Sequence, residues 1–465
     1  MLPDVALLRI FDFYMYGTTA EGWQTLVHVC RKWRGVVFGS PSRLNLRLYC
    51  GGQTPVRKAL GLDVWPPLPI VVVANNQEVR DDEGNIVAAI EHNDRICELH
   101  LFNIPRSPLA NLLGTMEQRS FPALTHLVLG LGSQDQDEIA PPTVPDSFLD
   151  GSAQSLQMVW LDRIPFPGLP KLLLSATNLV TLRLSNIPHS GYFSPEAIVS
   201  CISTLSGLAS LGIEFQSPQC RPDRRNDRRR RRRPAAPQTR SVLPVLTGFV
   251  FEGVSEYLED FVALIDAPLL HYCHIIFFHQ LIFDTPQLAQ FLSRTPTFNA
   301  HAHDREARVV FSHWGVRIRL QELVLQISCR QSDWQLSSLA QVCSSIVFQP
   351  LISAVERLYF LENRPLHWQD DIESSQWLEL FHPFTAVKDL YLSAGLMILI
   401  EPALQEIVGE RVTEVFPVLQ KLFLENPLSS GPVQVQETIG QFVVGRWLAG
   451  HPVAVFSGES EVFRL

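Results

Sequence analysis

Histidines and carboxylates are the first residues to ask for chemistry. His271, His274 and His279, with His301 and His303, form the densest imidazole group in the chain. On a strand, His301 and His303 would share one face, but no third and fourth ligand follows at a spacing that would close a metal site. Histidines facing a sheet or packed in a core account for the group more simply. Asp370-Asp371-x-Glu373 and Asp135-x-Asp137-Glu138 sit in polar stretches and read as solvated loops. Gly130-Leu131-Gly132 lacks the third glycine and following helix of a dinucleotide-binding turn. No G-x-S-x-G, phosphate-binding loop, H-E-x-x-H or paired C-x-x-C is present. The expectation is a protein that is not an enzyme and needs no metal or cofactor. The eight cysteines are scattered, and most lie in apolar contexts, so they read as reduced buried thiols.

Charge is the next constraint. The 465 residues carry a formal net charge of −9. Residues 221–240 alone hold ten Arg and two Asp, a local +8, so the remaining 445 residues carry −17. Such a body disfavours nucleic acid, and only the insert could attract it. The six consecutive residues Arg228, Arg229, Arg230, Arg231, Arg232 and Arg233 repel one another and favour a solvated, disordered segment over 217–241. A loop without a role, a nuclear-import signal, and a contact with nucleic acid or an acidic partner all remain open for it. The start Met1-Leu2-Pro3-Asp4 predicts no secretory leader, no apolar run is long enough for a membrane span, and no N-x-S/T sequon occurs. A cytoplasmic or nuclear location, with no membrane partner, is expected.

What would position any binding residues is a repeat. The pattern L-x-x-L-x-L occurs at Leu124–Leu129, Leu156–Leu161, Leu179–Leu184, Leu208–Ile213, Leu320–Leu325, Val355–Phe360, Val387–Leu392 and Leu419–Leu424, with a first copy at Ile96–Leu101. Weaker copies are expected at 246–251, 270–276 and 298–303. Each copy predicts a short parallel strand burying its L positions, with a helix returning the chain to the next. One unit cannot bury its own core, so units must stack. Pro195–Thr204, Trp377–Phe384 and Pro402–Val408 are expected covering helices, and Val433–Leu448 an amphipathic closing helix. The fold class is thus α/β: a helical domain at 1–48, a connecting segment at 49–94, irregular leucine-rich repeats at 95–432, and a terminal helix and tail at 433–465.

Ahead of the repeats, Leu2-Pro3 opens a helix carrying Leu7, Leu8, Ile10 and Phe11. A second helix reads Leu26-x-x-Val29-Cys30-Arg31-x-Trp33-Arg34. This segment resembles the F-box. Ser40-Pro41 through Leu44, Trp65-Pro66-Pro67-Leu68-Pro69, Glu437–Val443 and Leu448–Val453 extend the resemblance to the expanded fungal F-box/leucine-rich-repeat family. The resemblance implies a substrate receptor of an SCF-type ubiquitin ligase. It would dock a Skp1-type adaptor through Leu2, Pro3, Leu7, Leu8, Ile10, Phe11, Val29, Cys30 and Trp33, with the cullin ligase core as a further partner. The target would be a protein held by the repeats. The alternatives are that residues 2–44 only cap the repeat array, or that the chain is an interaction scaffold without a ligase role.

The residue between the last two L positions of each copy should face outward on the concave side. That column reads His100, Val128, Trp160, Arg183, Gly212, Val324, Tyr359, Tyr391 and Phe423. Trp160, Arg183, Tyr359, Tyr391 and Phe423 are of the types that dominate binding hot spots, and form the candidate target surface. A covering tail that turns these rings into core is the competing reading.

Overall fold

The computed structural model describes residues 2–463 except 17–21, 52–65, 76–83, 118, 133–140, 146, 152–153, 167–168, 219–239, 279–284, 301–304, 330–331, 346–347, 364–372, 408–410, 426–432 and 458–459. The chain divides into two compact units, 1–228 and 229–465.

The first unit begins with three helices. Helix α1 (Asp4–Tyr16) starts after Pro3, whose carbonyl accepts from the amides of Ala6 and Leu7. Proline is tolerated there because the first turn has no partner for its missing N–H. Leu7 and Phe11, one turn apart, are buried, and Phe11 meets the edge of Trp33 at 4.8 Å. Helices α2 (Gly22–Val29) and α3 (Arg31–Phe38) replace the single second helix expected from the sequence. The break is at Cys30, whose φ of −161° leaves the helical region while its Sγ caps the amide of Trp33 at 3.5 Å. Buried Trp23 ties α2 to the chain beyond α3, its Nε1 donating to the Arg47 carbonyl at 3.0 Å.

Seven parallel strands follow in chain order: β1 (Leu48–Cys50), β2 (Ile70–Asn75), β3 (Ile96–Ile104), β4 (His126–Leu131), β5 (Met158–Asp162), β6 (Thr181–Ile187) and β7 (Ser210–Phe215). The expected central positions are in register: Leu99, Leu127, Val159, Leu182 and Leu211 pair one to the next, and all are fully buried. Fully burying one such side chain stabilises the sheet by roughly 1.5–3 kcal/mol. The backbone repeats as well. Gln157 donates to Thr125, Thr181 to Gln157, and Ser210 to Val180, one bond at the start of each strand. Pro195–Ile202 is helical as expected, capped by Ser194.

The second unit has a parallel pair, β8 (Ser241–Val242) with β10 (Ile265–Asp266), and a larger sheet. In spatial order the sheet runs β9 (Gly248–Gly253), β11 (Tyr272–Phe278), β14 (Leu323–Ser328), β13 (Gly315–Leu320), β12 (Glu306–Ser312), β15 (Arg357–Glu362), β16 (Asp389–Leu392), β17 (Lys421–Leu424), β18 (Ala454–Ser457) and β19 (Ser460–Phe463). All neighbours are parallel except at β13 and β19. Two sequence expectations change here. The copy expected at 298–303 is not a strand: Pro296–Ala300 is helical, 301–304 lie outside the described residues, and the strand is β12. The chain then turns tightly at Ser312–Gly315 and runs back as β13, placing an antiparallel strand inside an otherwise repeating sheet. Gly315 makes the turn possible: its φ is +155°, and a Cβ there would strike the Ile327 carbonyl.

Helices Ser374–Phe381 and Val433–Leu448 sit where the sequence placed covering and closing elements. The helix expected to start at Pro402 instead starts at Ala394, with Pro402 inside it. Arg446, 0% exposed, reaches from Val433–Leu448 to the carbonyls of Val412 at 3.1 Å and Pro417 at 3.2 Å. Both units are therefore mixed α/β, with mostly parallel sheets and accompanying helices.

Candidate functional site

One flank of α1, beside its buried Leu7/Phe11 stripe, is apolar and uncovered. Ile10, Phe13 and Tyr14 are exposed, Phe13 to 85%, and stand at helical spacings of three and four residues. Of the residues named from the sequence for adaptor docking, Leu2, Pro3, Ile10, Val29 and Cys30 are exposed. Leu8 and Trp33 are half-buried, while Leu7 and Phe11 lie inside the three-helix packing. Leu7 and Phe11 thus hold the helices together rather than face outward. Sequence reasoning missed Phe13, whose signal was its i+3 spacing from Ile10. Lys32 fixes the amino-terminal end, contacting Asp4 at 3.3 Å and donating to the Leu2 carbonyl at 2.7 Å.

On the sheet of the first unit, His100, Val128, Trp160, Arg183 and Gly212 pair in one row as expected, but Val128 and Gly212 are buried rather than outward-facing. The Arg183 guanidinium lies 4.9 Å from the centre of the Trp160 ring, and Phe102 meets that ring edge-on at 5.9 Å. Gly212 leaves room for this, since a Cβ would come within 3.1 Å of Arg183 Cγ. Arg183 also donates to Glu214 Oε1 and Ser185 Oγ, each at 3.0 Å, so its charge is internally met. The Trp160 Nε1–H is sealed from solvent with no acceptor among the described residues.

At the other end of the row, Glu98 pairs with Arg47 and lies 3.3 Å from His100 Nε2 and 3.9 Å from His126 Nδ1. Burial alone would raise the Glu98 carboxyl. The hydrogen bond and charge of Arg47, with His126 and His100, outweigh burial and hold it below the ordinary range.

On the sheet of the second unit the outward row is longer than the sequence showed. Tyr359, Tyr391 and Phe423 pair directly across β15, β16 and β17, and Phe456 of β18 continues them. Their rings stack at 4.1, 4.2 and 4.9 Å between centroids, with planes within 10°, 5° and 17° of parallel. All four are half-buried. Burial, then the hydrogen bond to Tyr359, pushes the Tyr391 phenol up to about 12.

Val324 is not the next member of the row. β12 and β13 intervene, so the order is Val324, Arg319, Arg308, Tyr359. Arg308 caps the stack, its guanidinium 5.1 Å from the Tyr359 ring centre. Arg308, Arg319 and Phe456 were missed because their strands lack the L-x-x-L-x-L spacing. The plain alternation of Ala307, Val309, Phe311 and Val316, Ile318, Leu320 was the available signal. His274, beside Val324, is pushed down to about 4, by burial first and Arg317 second, and stays neutral at physiological pH.

The structure does not gather the other candidates. His279, His301, His303, Asp135, Asp137, Glu138, Asp370, Asp371 and Arg228–Arg233 lie outside the described residues. Among the described residues no group of three or more His, Cys, Asp or Glu could hold a metal ion, and no helix is long and apolar enough to cross a membrane. No protein-family model matches the chain, and no curated protein matches it. Fold and site define a mixed α/β chain whose mostly parallel sheets present side-chain rows in register.

Proposed function

We propose that the chain is a protein-binding substrate receptor of an SCF-type ubiquitin ligase. On this reading α1–α3 are an F-box that docks a Skp1-type adaptor, and the parallel strands from β3 to β17 belong to irregular leucine-rich repeats of a solenoid that holds a target protein. It performs no bond chemistry. It brings a target lysine into the neighbourhood of a ubiquitin-charged enzyme, raising the effective concentration of one for the other. The location would be cytoplasmic, nuclear or both.

The observation that carries the reading is the uncovered apolar face of α1, with Ile10, Phe13 and Tyr14 exposed on a bundle whose own core is already filled by Leu7 and Phe11. Exposed apolar side chains grouped on one helix face mark an interaction site more often than chance exposure does. The stacked row of the second unit supports a separate target surface.

The test is retention of purified Skp1 by the full chain and by an Ile10→Asp/Phe13→Asp variant whose circular dichroism matches wild type. Retention by wild type and at least tenfold weaker retention by the variant are expected. A folded wild type that does not retain Skp1 leaves an interaction scaffold with no ligase role.

A further inference from the structure

We infer that the segment held by unit 229–465 is a peptide with carboxylates at one end and apolar or aromatic residues a few positions away. The inference rests on reading this face as the target surface, and names the chemistry that face selects.

The stacked rings are only half of a longer surface. Arg308, Arg317, Arg319 and Arg357 project from β12, β13 and β15 on the same side as Tyr359, and all four are exposed. Two carboxylates contact them among the described residues. Glu306 is shared, 2.6 Å from Arg308 and 3.7 Å from Arg357. Glu322 lies 3.8 Å from Arg319. Arg317 donates twice to the neutral Gln326 Oε1, at 2.9 and 2.8 Å, and forms no ion pair among the described residues. With Asp389, the register partner of Arg357, and Lys421 included, five cations and three carboxylates share this face among the described residues, a net of two positive charges on a chain whose formal net charge is −9. Asp389 stands between Arg357 on one strand and Lys421 on the next, so the cations are densest at the arginine end.

The geometry then sets the ligand. Neighbouring strands are about 4.8 Å apart, so Arg308 and Phe423 are separated by roughly 14 Å. An extended peptide advances about 3.3 Å per residue, so about four residues link the two ends. Guanidiniums pair most favourably with carboxylates, often through two parallel hydrogen bonds. The edges of Tyr359, Tyr391, Phe423 and Phe456 offer apolar area that costs little entropy to use, because stacking already holds the rings. A peptide running across the strands meets the charges first and the rings after.

The experiment selects a randomised peptide display library on the full chain, measures affinity of a recovered peptide by fluorescence anisotropy, and assays Skp1 retention on the same preparation. Recovered peptides should carry Asp or Glu three to six positions from a Leu, Phe, Tyr or Trp. Affinity should fall at least tenfold for a folded Arg317→Glu/Arg319→Glu variant and at least tenfold for Phe423→Ala, and should weaken severalfold at high salt. Peptides without acidic bias, an unchanged affinity in the charge-reversed variant, or no recovered peptide at all overturns the inference. Skp1 retention without peptide binding rejects the acidic-peptide chemistry alone. Peptide binding without Skp1 retention rejects the ligase reading and leaves this one standing.

Discussion

The stacked row makes a quantitative demand on stability. Tyr391 lies between Tyr359 at 4.1 Å and Phe423 at 4.2 Å, both nearly parallel to it. A favourable aromatic pair is worth about 0.5–1.5 kcal/mol beyond the area it buries. Tyr391→Ala removes two such pairs, about 1–3 kcal/mol, plus about 1 kcal/mol for the covered part of a half-buried ring. A loss of about 2–4 kcal/mol is expected. Phe423→Ala also loses two contacts, to Tyr391 and Phe456. The pair Tyr391/Phe423 shares one of them, so the double variant should show a coupling of about 0.5–1.5 kcal/mol. Tyr359 and Phe423 are two strand spacings apart, roughly 9–10 Å, and should couple by less than about 0.5 kcal/mol. Urea unfolding followed by near-ultraviolet circular dichroism gives each term. A Tyr391/Phe423 coupling no larger than the Tyr359/Phe423 coupling would refute the stack as a cooperative unit.

Other perturbations follow from single residues. In an alkaline absorbance titration, one tyrosine should ionise near 12 and that late step should vanish in Tyr391→Phe. Because the folded state holds this proton more tightly than the unfolded chain, the stabilisation present below pH 10 should be lost as pH rises towards 12. Arg446→Ala leaves the Val412 and Pro417 carbonyls without their buried donor, and should cost about 3 kcal/mol in a thermal melt; a loss below about 1 kcal/mol contradicts the clamp. Gly315→Ala must fit a Cβ against the Ile327 carbonyl at a positive φ, and should destabilise by about 1–3 kcal/mol in the same assay.

The repeat itself was readable because burial dictates it. Leu99, Leu127, Val159, Leu182 and Leu211 recur at the repeat spacing and pair one to the next. Tyr359, Tyr391 and Phe423 follow from the same register. The reading failed where the repeat is interrupted. β12 and β13 alternate with period two, and a pattern tuned to L-x-x-L-x-L passes over them, so the arginine end of the row stayed hidden. Cys30 was also opaque. An apolar periodicity running through it suggested one helix, whereas its extended backbone and sulfur cap make two. Phe13 was lost for a different reason: sequence periodicity marks which residues are apolar on a short helix, not which of them a small bundle can cover.

On the proposed reading, one chain binds an adaptor through α1 and a target peptide through the second unit without conflict. Size-exclusion chromatography of the full chain with purified Skp1 and a fluorescent recovered peptide tests this directly. A single peak containing all three is predicted, with Ile10→Asp/Phe13→Asp removing only Skp1 and Arg317→Glu/Arg319→Glu removing only the peptide. Displacement of one partner by the other, or loss of both partners with either variant while the chain stays folded, would contradict it.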